Sequence, residues 1–404
     1  MKKTYWALIL LFLIGFLFIV VGCVSYLTDK PKDSSRSIGF YELEEDFSKY
    51  SDKIYVPPIR KPKPKPLPVI SSVYISDAVS DFLDFTIHKN TSYTVFADAK
   101  QNYKLSAKIF SNGTWKAIGK SPFTTDQAYW PNINIVDDMP IVTYIDRAAG
   151  YTVSAKYFDL SWKKIYMDGL PKTKAGILKT HSHKKMLCVA FSDLENNGVV
   201  TSVWKDGSWI TLAPTSRKPH EVIDLDIISI RDTLYLAIID KATAYNILVY
   251  ALEGEKWKEL GKFAIIDYFA GDLSLSTDGE NPYVSYITYK NAESSCKINV
   301  KKFDGKRWKV LGKPFSTPGK ARFSELQIAD NKIFLAYADL TNNTPTVLQL
   351  KNNYWKKLTT PEEAIGKTNR IIHKLANGFS YVAYIDQANH YQPIAMPLPL
   401  RKLF

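Results

Sequence analysis

The sequence predicts an all-β fold: a seven-bladed β-propeller of four-stranded antiparallel blades, preceded by a signal or anchor segment and a disordered linker. Three observations carry this. Tryptophans recur at Trp115, Trp162, Trp209, Trp257, Trp308 and Trp355, spaced 47, 47, 48, 51 and 47 residues apart. An aspartate closes an apolar segment in each unit, at Asp98, Asp146, Asp193, Asp240, Asp339 and Asp386, with Thr288 in that slot of the fifth. From each Trp to the next of these residues the distance is 31 every time, so length varies only between Asp and Trp. A period of roughly 45–50 residues with about four short strands per unit is that of a propeller blade.

The segment ending at each Asp shows why the units must stack. In Phe379–Asp386, FSYVAYID, both alternating faces are apolar, as in a sheet sandwiched between two others. A blade of this kind cannot bury both faces alone. Three residues before each closing position the side chain is modest: Val95, Thr143, Ala190, Ala237, Ser285, Ala336 and Ala383. These positions predict close approach of neighbouring sheets. Blades are expected near 81–118, 130–166, 176–213, 222–261, 272–312, 323–359 and 369–404. The last lacks a Trp but places Leu400 of LRKLF where Leu358 of WKKL falls. Six blades with an irregular closing unit is the competing count. The segment 69–76, VISSVYIS, reads as an extra strand fit to add to an edge or to seal the ring.

Residues 1–23 open with Lys2 and Lys3, continue in an apolar run and end Val20-Val21-Gly22-Cys23. A basic start, an apolar core and small residues before a cut form a secretory signal. An uncleaved helix is the other reading, since the run approaches the length that spans a bilayer. Val20–Cys23 resembles the lipobox of bacterial lipoproteins, with Gly22 at the expected position and Val20 replacing the commoner Leu. The resemblance implies lipidation of Cys23 (palmitate among the acyl chains) and a membrane-anchored, extracytoplasmic protein of the bacterial cell envelope. Residues 24–67 are polar and irregular and end PPIRKPKPKPLP. This Pro/Lys-rich linker is expected to be disordered, with its last run extended at about 3.1 Å per residue. It would hold the propeller, 68–404, clear of the membrane.

The formal net charge is +13. A basic excess attracts nucleic acid, anionic polysaccharide or acidic lipid. Here Lys outnumbers Arg and is spread over turns, whereas nucleic-acid readers concentrate Arg with stacking aromatics. Together with export, this argues against nucleic acid as a partner. Cys188 and Cys296 fall a whole blade apart, so no disulfide is expected between them and Cys188 reads as a buried core thiol.

Six aspartates at one level of a ring invite a cation or a glycan hydroxyl. A residue repeated in nearly every blade is instead expected to be architectural, each Asp capping its own turn by accepting backbone N–H bonds. The tryptophans follow turns such as Asn112-Gly113, Asp206-Gly207 and Asp304-Gly305. They are expected to open the outermost strand and cover the blade edge, rather than stack on sugars. His181 and His183 lie two apart, and His88 shares the repeat position of His183 two blades away. No spacing supplies a third ligand, so neither metal nor cofactor is expected. The turns SNGTW (111–115) and KDGSW (205–209) resemble the Asp-box of sialidase-type propellers, and the period resembles that of kelch propellers. The upstream Ser and spacing of the first are missing in most units and the Gly-Gly pair of the second is absent, so neither resemblance implies site residues.

The sequence has no G-x-S-x-G, no H-E-x-x-H and no phosphate-binding glycine loop. The segments between blades never lengthen, although catalytic residues concentrate on loops held by a rigid frame. A glycosidase or lyase would need an acidic pair in the central pocket, which the sequence does not display. The expectation is a monomeric, non-catalytic binding or scaffold propeller, lipid-anchored at the envelope, with a protein or glycan partner. The alternative is a propeller lectin with repeated sugar sites, one per blade; a glycosidase or lyase comes after it.

Overall fold

The computed structural model describes residues 74–404 except 215–219, 264–268, 291–294, 314, 318, 343, 359–367, 388–389 and 400–404. The signal segment with Cys23, the linker, positions 69–73 and Leu400 lie outside the described residues.

Seven antiparallel sheets follow one another along the chain, each strand pairing with the next in its blade, and in blade 5 the short strand Phe315–Ser316 also pairs with Lys297–Phe303. Their innermost strands are Leu83–His88, Ala128–Val136, Ala175–His183, Val222–Ile230, Phe269–Thr277, Ala321–Ala329 and Thr368–Ala376. Each packs against the innermost strand of the next blade and the first packs against the last, so the sheets close into a propeller ring. The modest residue three before each closing position is the point of tightest packing. Val95, Thr143, Ala190, Ala237, Ser285, Ala336 and Ala383 are all 0% exposed. A larger side chain there would push two sheets apart, at a typical cost of about 1–3 kcal/mol.

Each repeat tryptophan opens or nearly opens the outermost strand of its blade and leans on the blade before it. Trp162 Nε1 donates to the Ile118 carbonyl at 2.8 Å, and Trp209 Nε1 to the Tyr166 carbonyl at 3.1 Å. Glycine makes the seat elsewhere. A Cβ on Gly261 would stand 2.9 Å from the Trp308 indole, and one on Gly312 would stand 2.7 Å from that of Trp355. Six of the seven second strands end at a repeat aspartate, and Asp98 departs from the expected pattern in making no side-chain cap bond. Asp193 Oδ1 accepts from the Glu195 and Asn196 amides at 2.9 and 3.0 Å, and Asp339 Oδ1 from those of Thr341 and Asn342, both at 3.0 Å. Asp146 accepts from Ala148 N–H at 3.0 Å, and Asp240 from Ala242 N–H at 3.0 Å.

Blade 7 shows three strands among the described residues. Beyond its third, Gln392–Pro399, lies the segment that precedes blade 1. Tyr74 bridges Ile394 antiparallel, Ile75 N–H donates to the Pro393 carbonyl at 2.9 Å, and Ser80 N–H to the Tyr391 carbonyl at 2.9 Å. Within the same segment the Val79 carbonyl accepts from Ala99 N–H of blade 1 at 2.9 Å. Residues 74–80 therefore clasp the last blade to the first, which is the sealing role open to the 69–76 strand. Ile75, 1% exposed, is packed into one cluster with Phe85 of blade 1 and Tyr381 of blade 7. Ile75→Ala is expected to cost about 2–5 kcal/mol in denaturant unfolding, as core truncations do. Val310→Ala on the exposed outermost strand of blade 5 should stay within about 0.5 kcal/mol. Equal, small effects would show that the seam holds without the clasp.

Candidate functional site

The innermost strand of each blade has one edge that no strand covers, and it faces the axis. Its N–H groups must still find partners. Side chains of the preceding blade supply them. Asp84 Oδ2 accepts from Ile133 N–H at 2.8 Å, Asp224 Oδ2 from Leu273 N–H at 2.7 Å, and Asp226 Oδ2 from Leu275 N–H at 2.7 Å. Ser274 Oγ accepts from Leu326 N–H at 3.2 Å, while Asn132 Nδ2 donates to the Leu178 carbonyl at 3.2 Å. The axis is polar because the strand edges that line it need polar partners.

Strand register sorts these side chains into levels. Opposite the seven tightly packed positions stand Asp84, Asn132, Lys179, Asp226, Ser274, Glu325 and Ile372. Two residues nearer the strand starts stand Phe82, Trp130, Ile177, Asp224, Asp272, Phe323 and Arg370. The backbone repeats seven times, yet the chemistry repeats at neither level. Two cavities of about 330 and 370 Å³ meet where Asp84, Asn132, Lys179, Glu325 and Ile372 line both. The first, the upper chamber, lies at the strand-start face among Trp130, Asp224, Asp272, Phe323 and Arg370. The lower one is lined by hydroxyl and amide groups, among them Thr86, Asn134, Ser276 and Gln327, with His181 and Lys374.

Backbone strain marks the upper chamber. Trp130, Asp272, Phe323 and Arg370 have φ of 49°, 53°, 57° and 57°, the left-handed region, at one repeat position in four blades. Each sits at a break in strand register, where the inner strand carries one extra residue opposite Tyr144, Tyr286, Tyr337 or Tyr384. Such a bulge re-aims a side chain, and a non-glycine residue held there costs of order 1–3 kcal/mol. All four residues line the upper chamber. The Arg370 guanidinium carbon lies 4.6 Å from the Trp130 ring centre and 4.9 Å from that of Phe82. Arg322 Nε meets Asp272 Oδ2 at 3.0 Å and lies over Phe323 at 5.2 Å.

Charge in the chamber is crowded and partly dry. Burial pushes the Asp224 carboxyl up to about 7, against the pull of Lys179. Burial also raises Asp226 and Glu325. It disfavours the Lys179 ammonium, but Asp226, Glu325 and Asp224 outweigh that and hold its pKa above the ordinary value. Burial lowers Arg370 to about 10, which leaves it cationic at neutral pH. In and beside the lower chamber, burial pushes His181 down to about 4 and His373 to about 3, so both imidazoles are neutral.

None of the twelve repeat residues, Asp or Trp, lines either chamber. His88 meets Asp138 at 2.7 Å, His183 approaches Asp232 at 3.6 Å, and His181 meets Ser229 Oγ at 2.9 Å, each reaching the next blade. Cys188 and Cys296 are free and buried, and burial pushes the Cys188 thiol up to about 12. The centre, for which the sequence displays no lone acidic pair, is lined by five carboxylates: Asp84, Asp224, Asp226, Asp272 and Glu325. They come singly or in twos from four blades, so no local motif announces them.

No family model matches the chain, and no curated protein matches it in sequence. Solved structures do resemble it. One is the polysaccharide lyase Uly1, 12% identical with a TM-score of 0.52, over 80% of this chain and 90% of that one. Another is the Aleuria aurantia lectin in complex with Fucα1-6GlcNAc, 12% identical with a TM-score of 0.46, over 70% and 99%. A third is the Penicillium chrysogenum α-L-arabinanase complexed with arabinobiose, 11% identical with a TM-score of 0.43, over 71% and 97%. At these identities the likeness establishes the fold alone.

The chamber makes a pH-dependent prediction. A carboxyl raised to about 7 in the folded chain keeps a proton that the unfolded chain releases near its ordinary pKa. Its contribution to stability is therefore greatest in acid and is lost as pH rises towards 7. The stability of the wild type minus that of Asp224→Asn should fall between about pH 4 and pH 7 and level off above. Urea unfolding of both at several pH values checks this; a difference independent of pH would mean an ordinary carboxylate.

Proposed function

We propose that this chain is a carbohydrate-binding propeller that takes one saccharide in the upper axial chamber. It works at the bacterial envelope, tethered through Cys23 and the Pro/Lys-rich linker. The observation that carries the reading is the symmetry-breaking upper level: aromatic rings beside fixed carboxylate and guanidinium groups, four of these residues on strained bulges. A sugar offers apolar C–H faces and a rim of hydroxyls, and a concave site with aromatic walls and a few fixed polar groups suits both. A chamber of about 330 Å³ matches a small ligand rather than a protein surface.

The lectin reading is thereby favoured over a protein scaffold, with one central site in place of one per blade. Trp209 and Trp257 are only 6% and 9% exposed, and the other four repeat tryptophans are half-buried, which leaves no open platform in each blade. A second reading, glycan cleavage, draws on Asp224. A carboxyl that titrates near 7 can hold or give up a proton at working pH. Release of reducing ends or of unsaturated product from a bound glycan would identify it.

The binding test is a glycan array probed with the full-length chain in mild detergent, followed by titration of the best ligand. Trp130→Ala should weaken binding about tenfold or more, equivalent to at least about 1.4 kcal/mol. Trp308→Ala, between blades 4 and 5, should lower stability and spare affinity in whatever fraction remains folded. Unchanged affinity in Trp130→Ala would refute the axial site.

A further inference from the structure

We infer that the saccharide is acidic and that Arg370 receives its carboxylate. The inference rests on the axial reading and adds the ligand's charge to it. Among the described residues, Arg370 has neither a hydrogen-bond acceptor nor an ion-pair partner. Asp84, Glu325 and Asp224 are close enough to influence its charge, yet none pairs with it. Arg322, in the neighbouring blade, is committed to Asp272 at 3.0 Å. A guanidinium carries five N–H donors and accepts nothing, so Arg370 brings an unused set into the chamber it lines. An arginine stacked on aromatic rings keeps its in-plane fork for a carboxylate, which it can bind through two parallel bonds.

Two independent features hold that fork in place. Phe82 and Trp130 flank the cation at 4.9 and 4.6 Å. Its own backbone is fixed in a left-handed bulge at φ 57°. The side chain is half-buried, so its donors remain accessible from the chamber it lines. Lys179 lies deeper on the same chamber wall and, among the described residues, also makes no hydrogen bond or ion pair. A uronate unit meets both needs. Its carboxylate pairs with Arg370, its C–H face lies on the aromatic wall, and its hydroxyls reach the polar level below. A neutral sugar leaves the guanidinium unmatched.

The test is calorimetric titration of the full-length chain with oligogalacturonate and with the same oligosaccharide reduced at its carboxyls to the neutral form. The acidic form should bind at least tenfold more tightly at moderate salt. Arg370→Gln should remove that preference while leaving the weaker neutral binding in place, and Arg370→Lys should restore only part of it. Arg231→Gln, which removes the same charge from an exposed surface, should leave the preference intact. Equal affinity for the two forms, or a preference that survives Arg370→Gln, would overturn the inference while the axial site stands. Absence of binding by both forms and across the array would overturn the axial site and the inference together. The wild-type comparison decides the matter even where a variant fails to fold.

Discussion

The uncovered edge of each innermost strand is the constraint on which the rest of the molecule depends. Seven sheets facing one axis present seven such edges, and a backbone N–H left without a partner there costs roughly as much as a lost hydrogen bond. The chain meets this with carboxylates, amides and hydroxyls that reach one blade forward, as Asp84 does to Ile133 and Asp226 to Leu275. The same groups make the axis polar and charged. Structure and site are therefore not separate layers here. The residues that stitch blade to blade also line the cavity.

Away from the axis the blades are held by repetition. Small residues fill the slots between sheets, each tryptophan leans on the blade before it, and Asp146, Asp193, Asp240 and Asp339 cap the turns after their second strands. These elements bury apolar area, fix register and leave the axis free to vary. The four left-handed bulges are placed where that freedom is used, and they aim Trp130, Asp272, Phe323 and Arg370 at one chamber.

The repeat was legible because its signals are periodic. The Trp-to-Asp distance of 31 and the modest residue three before each Asp gave the blade, its close-packed slots and the count. The chamber was not legible, because a site that breaks a repeat shows up as its least regular positions. Phe82, Trp130, Ile177, Asp224, Asp272, Phe323 and Arg370 share one structural position and no common chemistry. Loop length carries no sign of them, since four of them sit on bulges within strands. Aligning the seven inner strands by register would have exposed a column mixing Asp, Arg, Trp and Phe. A second hint lay in the strand beside it: the left-handed bulges fall in the blades with Tyr144, Tyr286, Tyr337 and Tyr384, whereas Phe96, Phe191 and Ile238 mark blades without one. The sealing role of the segment before blade 1 was half visible, as a strand with no partner assigned.

The most direct measurement is the stoichiometry of saccharide binding to the full-length chain, by calorimetry with a saturating oligosaccharide. A symmetric frame with one asymmetric axial site predicts one ligand per chain. Six or seven ligands per chain would contradict it and return the repeated positions of the blades to the centre of the question.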